Sequence, residues 1–197
     1  MIDPEKVTNY NQSDRELEEF ILFWVCAAGK NGTTAARCLD KLLYSIYVAH
    51  KEGPFDAIRD WIKKDAICPT LHSMLPDMMK KAGIGCYNDK ARTFAELVLS
   101  GIDLRTCTAS DLEEIFGIGP KTARCFILHS RKDARVAGLD THMLKHLRSL
   151  GFDAPKNTPT GKKYLDLEKI VLMLSDKAGT NPADYDLAVW NSYAVRS

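Results

Sequence analysis

Apolar side chains recur every three or four positions through most of this 197-residue chain, which is the spacing of an amphipathic α-helix. The clearest case follows the capping-box pattern Ser13-x-x-Glu16 and stops at Gly29. Its apolar residues share one helical face: Leu17, Phe20, Ile21, Trp24, Val25 and Ala28. The only extended candidate, residues 135–139, is too short and isolated to found a sheet. The sequence therefore predicts an all-α fold.

The same periodicity predicts a second helix after Thr34 and shorter ones after Pro54 and around Pro76. Later helices are predicted at residues 88–99, 141–150, 164–177 and 182–193. With 45% hydrophobic and 27% charged residues, the composition is that of an ordinary soluble globular protein. No apolar run approaches the roughly 20 residues that span a bilayer. No signal-peptide pattern is present. We therefore expect no membrane partner.

The charge balance and the cysteines limit the classes of function that this chain can have. There are 27 basic and 26 acidic residues, so no overall field attracts nucleic acid, and any such contact must be local. Six cysteines lie scattered without a C-x-x-C pair: Cys26, Cys38, Cys68, Cys86, Cys107 and Cys125. They predict reduced, mostly buried thiols and no metal site.

The most informative segment is SDLEEIFGIGPKTARCFILHS, from Ser110 to Ser130. The pattern Ser110-x-x-Glu113 predicts the start of a short helix, Gly117-Ile118-Gly119 interrupts it, and Pro120 starts another. Glycine permits a turn with positive φ and a close backbone approach, and the N–H groups that begin the second helix favour an anion. The pattern resembles the helix-hairpin-helix motif of DNA-binding proteins. A plain αα-hairpin is the alternative.

Lys121 directly follows this hairpin, and Asp140 lies nineteen positions later in AGLDTHMLKHL. With these two residues the chain resembles the HhH-GPD superfamily of base-excision DNA glycosylases, over roughly residues 14–150. The resemblance implies that Lys121 is the nucleophile of a bifunctional glycosylase and that Asp140 is its carboxylate partner. The helix dipole at the first turn disfavours a cation, which favours an attacking amine. The alternative is a phosphate-binding lysine and an aspartate that only caps a helix.

The resemblance also implies which residues contact DNA and the flipped base. The DNA contacts would come from the hairpin and a few further side chains: Gly117, Ile118, Gly119, Thr122, Lys30, Asn31, Lys90 and His142. Lys30 or Asn31 would wedge into the duplex, unless Gly29-Lys30-Asn31-Gly32 is a simple turn. The ending Tyr185–Tyr193 looks like the Asp-Leu-x-x-Trp ending of small prokaryotic 8-oxoguanine glycosylases. It places Trp190 and Asp186 in a base pocket, and a buried aromatic helix is the alternative.

Relatives of the endonuclease III type carry four C-terminal cysteines around an iron–sulfur cluster, whereas the last cysteine here is Cys125. We therefore expect no cluster and no cofactor, although the hairpin could hold a monovalent cation.

The resemblance implies two helical subdomains with a DNA-binding cleft between them. Residues 31–131 would form one, ending in the hairpin at 110–130, and residues 1–30 with 132–197 would form the other. The predicted function is base excision repair of double-stranded DNA, with excision of a damaged base, 8-oxoguanine favoured, followed by strand nicking through a Schiff base. We expect a monomer located in the cytoplasm with the nucleoid, or in the nucleus of a eukaryote. The alternatives are an oxidised-pyrimidine glycosylase, a monofunctional glycosylase and a non-catalytic DNA-binding module.

Overall fold

The computed structural model describes residues 2–49, 53–67 and 74–194, and within them it has ten α-helices and no strand. The all-α prediction is therefore confirmed for the described residues. The first five helices are α1 (Asp14–Ala27), α2 (Gly32–Ala49), α3 (Pro54–Ile67), α4 (Met74–Ala82) and α5 (Tyr87–Ser100). The others are α6 (Ala109–Glu113), α7 (Pro120–Ser130), α8 (Thr141–Ser149), α9 (Gly161–Lys177) and α10 (Pro182–Ala194). A short 3-10 helix, Pro4–Lys6, precedes them.

The helices divide into two compact units. One contains Gln12–Ile118 with the residues up to Pro4, and the other contains Glu5–Asn11 and the chain from Gly119 onward. This division differs from the predicted one in two respects. Helix α1 belongs with the central helices rather than with the C-terminal third, and the boundary falls inside the hairpin rather than at residue 131.

The placement of α1 follows from its apolar face. Phe20, Phe23 and Trp24 are buried, and the Trp24 ring meets the other two edge-on at 5.7 and 5.1 Å between ring centroids. The helix packs against α2, α3 and α5, all within the first unit. Its capping box is formed as predicted, with Ser13 and Glu16 each accepting a backbone N–H of the other. Burial of the apolar face of α1 stabilises the first unit more than the capping box does.

The second unit is built around α8, α9 and α10, with α10 also packed on α7. Its core is a cluster of buried apolar side chains from these helices, from the segment before α8 and from the loop between α8 and α9: Ala137, Leu139, Met143, Leu144, Leu147, Ala154, Tyr164, Leu167, Val171 and Val189. The N-terminal segment joins this unit, since the Asn9 N–H donates to the His129 carbonyl at 3.0 Å. Helices α8, α9 and α10 lie where the periodicity predicts them.

The two glycines of the hairpin have different physical roles. Gly117 has φ = 79°, and a Cβ there would collide with the Thr93 hydroxyl, so glycine is needed for conformation and space. Gly119 is extended, with φ = −89° and ψ = 173°, and a Cβ there would meet nothing within 4 Å. Of these two residues, only Gly117 is required by the fold to be glycine.

The start of the helix before the hairpin corrects one prediction. Helix α6 is capped by Thr108, whose hydroxyl accepts the Asp111 N–H, while Asp111 accepts the Thr108 N–H. The predicted box of Ser110 and Glu113 lies two residues further on and is not the one used. The pattern Thr108-x-x-Asp111 is harder to recognise as a capping box, because Asp replaces the usual Glu or Gln.

No helix in the described part of the chain is long and apolar enough to cross a membrane. Of the six cysteines, Cys26, Cys38, Cys107 and Cys125 are buried and Cys86 is exposed, and none of these five forms a disulfide; Cys68 lies outside the described residues.

The hairpin glycines give a paired stability prediction. Gly117→Ala should lower the free energy of unfolding by about 1–3 kcal/mol, because a residue with a Cβ is strained at positive φ and must displace Thr93. Gly119→Ala should lower it less, by about 0.5 kcal/mol, because Gly119 is the N-cap of α7, where alanine is less favourable than glycine, but its φ is negative and its surroundings are open. Urea unfolding followed by circular dichroism measures both. Equal losses in the two variants would contradict the assignment of roles.

Candidate functional site

Lys121 lies in the first turn of α7, where the sequence predicts it. Gly119 is the N-cap and Pro120 is the first helical residue, as the order Gly-Pro-Lys indicates. Pro120 has no N–H to leave unpaired, and its fixed φ suits the first helical position. The side chain of Lys121 is partly buried. An amine is thus held at the positive end of a helix dipole, where a cation is disfavoured.

Asp140 is the N-cap of α8, and its side chain accepts the Met143 N–H at 2.8 Å. The predicted capping role is confirmed. Only one of the two carboxylate oxygens makes this bond. A capping residue can therefore also offer an oxygen to a reacting group.

The backbone before Asp140 is held by side chains rather than by a strand partner. The Tyr164 hydroxyl donates to the Ala137 carbonyl at 2.8 Å and accepts the Leu139 N–H at 3.1 Å. The Ala137 N–H donates to Glu168 at 3.0 Å, and the Thr158 hydroxyl donates to the Leu139 carbonyl at 2.8 Å. Four buried or partly buried bonds thus fix the segment Ala137–Asp140 in one position.

The same residues of α9 also hold the helix that carries Lys121. Arg124 on α7 donates through Nε to Glu168 at 2.9 Å, and its guanidinium lies 4.6 Å from the Tyr164 ring centroid. Both charged side chains are about nine-tenths buried, at 9% and 11% exposure. Removing one partner of such a pair leaves an uncompensated buried charge, so the pair resists displacement. One network thereby positions both Lys121 and Asp140.

The electrostatics place Asp140 among several titratable groups. Burial and the nearby charge of Asp186 raise the Asp140 pKa, while the Met143 N–H and the charges of Lys121 and His142 act to lower it. Lys121 and Asp186 are therefore both within electrostatic reach of Asp140 in the second unit. A carboxylate with a raised pKa is a better proton acceptor than an ordinary aspartate.

Cys125 lies one turn after Lys121 and is fully inside the same cluster. Burial raises the pKa of its thiol to about 12 despite the opposing effect of Lys121. A thiol with so high a pKa stays protonated at neutral pH and is a poor nucleophile. The amine of Lys121 is therefore a better candidate nucleophile than the Cys125 thiol.

The predicted base-pocket residues lie on α10. Asp186 is 17% exposed, and its carboxylate pairs with the buried His129 at 3.2 Å. Trp190, one helical turn later, meets the ring of His142 edge-on at 6.4 Å, and His142 stacks on Tyr193 at 6.3 Å. The structure thus brings Asp186, Trp190 and His142 into the unit that holds Lys121 and Asp140.

Two predicted wedge residues make structural contacts. The Asn31 side chain accepts the Thr33 and Thr34 N–H groups at 2.9 and 3.3 Å, so it caps α2, which begins at Gly32 rather than after Thr34. Lys30 donates to the Gly83 carbonyl at 2.9 Å. These contacts support the alternative of a simple turn at these positions.

Lys90 is not a DNA-contacting residue. It is 8% exposed, and its ammonium donates to the carbonyls of Cys26 and Ala28, at 2.8 and 3.2 Å, where α1 ends. Burial lowers its pKa. The prediction was wrong because those carbonyls, which a helix end leaves without partners, draw the lysine inward.

Two further residues that the resemblance assigns to the DNA interface belong to the hairpin. The side chains of Thr122 and Ile118 are buried, at 5% and 3% exposure, so neither side chain is available to DNA. Any contact at these two positions would come from the backbone. Sequence reasoning also missed Tyr164, Glu168 and His129, since a buried polar residue on an apolar face has no local signature.

No protein-family model matches this chain. Among solved structures it is similar to the 8-oxoguanine glycosylase/lyase of Methanocaldococcus jannaschii in complex with DNA containing 8-oxoguanine. The TM-score is 0.67 at 20% identity, over 94% of this chain and 84% of that one. The 8-oxoguanine DNA glycosylase of Thermotoga maritima is similar at a TM-score of 0.68 and 19% identity, over 94% and 82%. The glycosylase/lyase of Clostridium acetobutylicum follows at 0.58 and 16%, over 88% and 60%. These likenesses show that the chain has the helical fold of those proteins.

The raised Asp140 pKa gives a stability prediction. Folded Asp140 keeps its proton at a higher pH than the unfolded residue does. The charged side chain therefore lowers the free energy of unfolding, and this loss increases as pH rises above the ordinary aspartate pKa. Asp140→Asn removes the charge and keeps the cap, so at neutral pH it should be at least as stable as the wild type. Its advantage should shrink towards about pH 4, near the ordinary aspartate pKa.

Asp140→Ala is the matched control, since it also loses the cap and should cost about 1 kcal/mol relative to Asn. Urea unfolding at the two pH values measures all three proteins. An Asn variant less stable than wild type at neutral pH would contradict the burial of a costly charge.

Proposed function

We propose that this chain is a bifunctional DNA glycosylase and AP lyase that removes 8-oxoguanine from double-stranded DNA. The observation that carries the proposal is the pairing, in one unit, of an amine in the first turn after a Gly-Ile-Gly hairpin with a partly buried carboxylate. The similarity in fold to three 8-oxoguanine glycosylases supports the class of substrate. The proposed reaction uses no cofactor, because side chains and water supply every group.

The first step is displacement of the base at the sugar carbon C1′. The lone pair of the Lys121 amine attacks C1′, and the electrons of the N-glycosidic bond leave with the base. Asp140 accepts the proton that Lys121 must lose before it attacks, a role that its raised pKa favours. It then passes this proton to the departing base, and the restored carboxylate stabilises the positive charge that develops on the sugar as that bond breaks.

The second step breaks the strand. Opening of the sugar ring gives an iminium between Lys121 and C1′, which makes the C2′ proton acidic. Loss of that proton pushes electrons toward C3′, and the 3′ phosphate leaves with the bonding pair. A glycosylase without a covalent amine intermediate cannot follow this route, so strand cleavage distinguishes the bifunctional enzyme from a monofunctional one.

The base must leave the duplex before C1′ can be reached. The rings of His142, Trp190 and Tyr193 form an aromatic group beside Asp186, which supports a pocket for a flat purine. The open space at Gly119 supports close approach of a DNA phosphate to the start of α7. These two features are the proposed contacts of the damaged nucleotide.

The assignment of the nucleophile is tested with Lys121→Gln. The variant should lose borohydride trapping and strand cleavage on a duplex with one 8-oxoguanine, because Gln cannot form a Schiff base. Its DNA affinity should stay within about three-fold, since few of several contacts change. Lys132→Gln is the matched control, because that exposed lysine lies beyond the other end of α7.

Each outcome of that experiment identifies one function. A trapped adduct with the Gln variant would move the nucleophile to another amine. Base release by the wild type without an adduct or cleavage would indicate a monofunctional glycosylase. Binding without base release, across duplexes that carry different single lesions, would indicate a non-catalytic DNA-binding module.

Gly119→Val tests the hairpin. Because a Cβ there meets no protein atom within 4 Å, the fold tolerates it, but it occupies the space a phosphate would use. Affinity for damaged and undamaged duplexes should fall together, by about ten-fold, the effect of losing a hydrogen bond to a charged group. Gly119→Ala should fall less. Fluorescence anisotropy at one fixed salt concentration measures both, and unchanged binding by the Val variant would remove the hairpin from the DNA interface.

A further inference from the structure

A chain of polar contacts leads from the N-terminal segment to α10. The Thr8 hydroxyl lies 2.8 Å from His129 Nδ1, and His129 Nε2 lies 3.2 Å from Asp186 Oδ2. His129 has no exposed surface, and the neighbouring Asn9 N–H donates to its carbonyl. A fully buried imidazole with a partner at each nitrogen has a fixed orientation. Asp186 is thereby fixed as well.

Asp186 is directed towards the segment that ends in Asp140. A Cβ built on Gly138 would lie 3.9 Å from Asp186 Oδ1 and would collide with Cys125 Sγ. Gly138 lies two residues before Asp140, so the absence of a side chain there lets Asp186 and Cys125 approach this backbone closely. Glycine at this position has no positive φ to explain it.

We propose that Asp186 is a positioning residue whose carboxylate, held by His129 and Thr8 against the segment that carries Asp140, promotes transfer of the Lys121 proton to Asp140. This inference rests on the proposed function, in which Asp140 accepts the proton of Lys121. It revises the predicted role of Asp186, which was to contact the base. Asp186 acts through Asp140 and has no contact with the reacting atoms.

The physical reason is repulsion between two neighbouring carboxylates. When Asp186 is ionised, a second negative charge at Asp140 is disfavoured, so Asp140 takes up a proton more readily. Transfer of the proton from Lys121 to Asp140 then becomes less unfavourable, and the attacking amine forms more often.

The other titratable groups around the pair come from two elements. Helix α7 contributes Lys121, Cys125 and His129, and helix α8 contributes His142. Lys121 and His142 act against the effect of Asp186, whereas Cys125 is a neutral thiol at neutral pH. Asp186 is the one named group whose charge raises the proton affinity of Asp140.

Asp186→Asn tests the proposal, because it removes the charge and keeps the shape. Single-turnover release of 8-oxoguanine should be about ten-fold slower at neutral pH, the scale of one partly screened charge interaction. The pH at which activity is lost on acidification should move to a lower value. Asp184→Asn is the matched control, since it removes one charge from the same helix at an exposed position where Asp184 pairs with Asn181. That control should keep the wild-type pH profile.

A second measurement does not depend on catalysis. In protein labelled with ¹³C at the aspartate carboxyl carbons, the Asp140 signal, assigned with Asp140→Asn, should titrate at a lower pH in Asp186→Asn than in the wild type. If Asp186→Asn does not fold, the titration of the wild-type protein alone tests the proposal. Two coupled steps in the Asp140 and Asp186 signals support the pair, and independent single steps overturn it.

The two hypotheses can fail separately. If the wild type releases no 8-oxoguanine at any pH, the proposed substrate is wrong, and the carboxyl titration still decides whether Asp186 controls Asp140. If the wild type is active and Asp186→Asn shares the pH profile of Asp184→Asn, the inference about Asp186 is wrong and the proposed function stands.

Discussion

The candidate site depends on the hydrogen bonds that hold the segment Ala137–Asp140 against α9. This backbone is extended and buried, and no strand pairs with it among the described residues, so its N–H and C=O groups need other partners. Tyr164 satisfies two of them with a single hydroxyl, and burial raises the Tyr164 pKa so that the hydroxyl keeps its proton. Glu168 satisfies a third while it also pairs with Arg124 on α7. The position of Asp140 relative to Lys121 is therefore set from α9.

This dependence explains which parts of the site could be predicted from the sequence. Pro120, Lys121 and Asp140 have local signals, because a helix start depends on residues within one turn of it. Tyr164 and Glu168 act on backbone 25 to 31 positions away. A tyrosine on an apolar helical face is expected in any core, and the sequence does not show which carbonyl its hydroxyl will meet. The fold class was predictable because periodicity is repeated in every helix, whereas each contact between helices occurs once.

Lys90 and Gly119 show the same distinction in single residues. A lysine near a predicted DNA-binding region is usually solvated, yet Lys90 is drawn to two carbonyls at the end of α1, and only the packing of α5 near that end brings it there. Gly119 is the opposite case to Lys90. Its backbone is extended and its surroundings are open, so no neighbouring atom requires glycine there, although glycine suits the N-cap position that it occupies. The open space leaves room for the phosphate contact proposed above, whereas glycine at Gly117 is explained by its turn.

The approach of Cys125 to Gly138 joins these arguments. A side chain at residue 138 would meet the Cys125 sulfur, so the segment can lie this close to α7 only because residue 138 is glycine and residue 125 is small. Burial raises the pKa of the Cys125 thiol to about 12, so the thiol stays protonated at neutral pH and does not compete with Lys121, the proposed nucleophile. The same packing leaves the carboxylate of Asp140 within electrostatic reach of both Lys121 and Asp186. Chemical selectivity at this site follows from the packing of small residues as much as from the charged groups themselves.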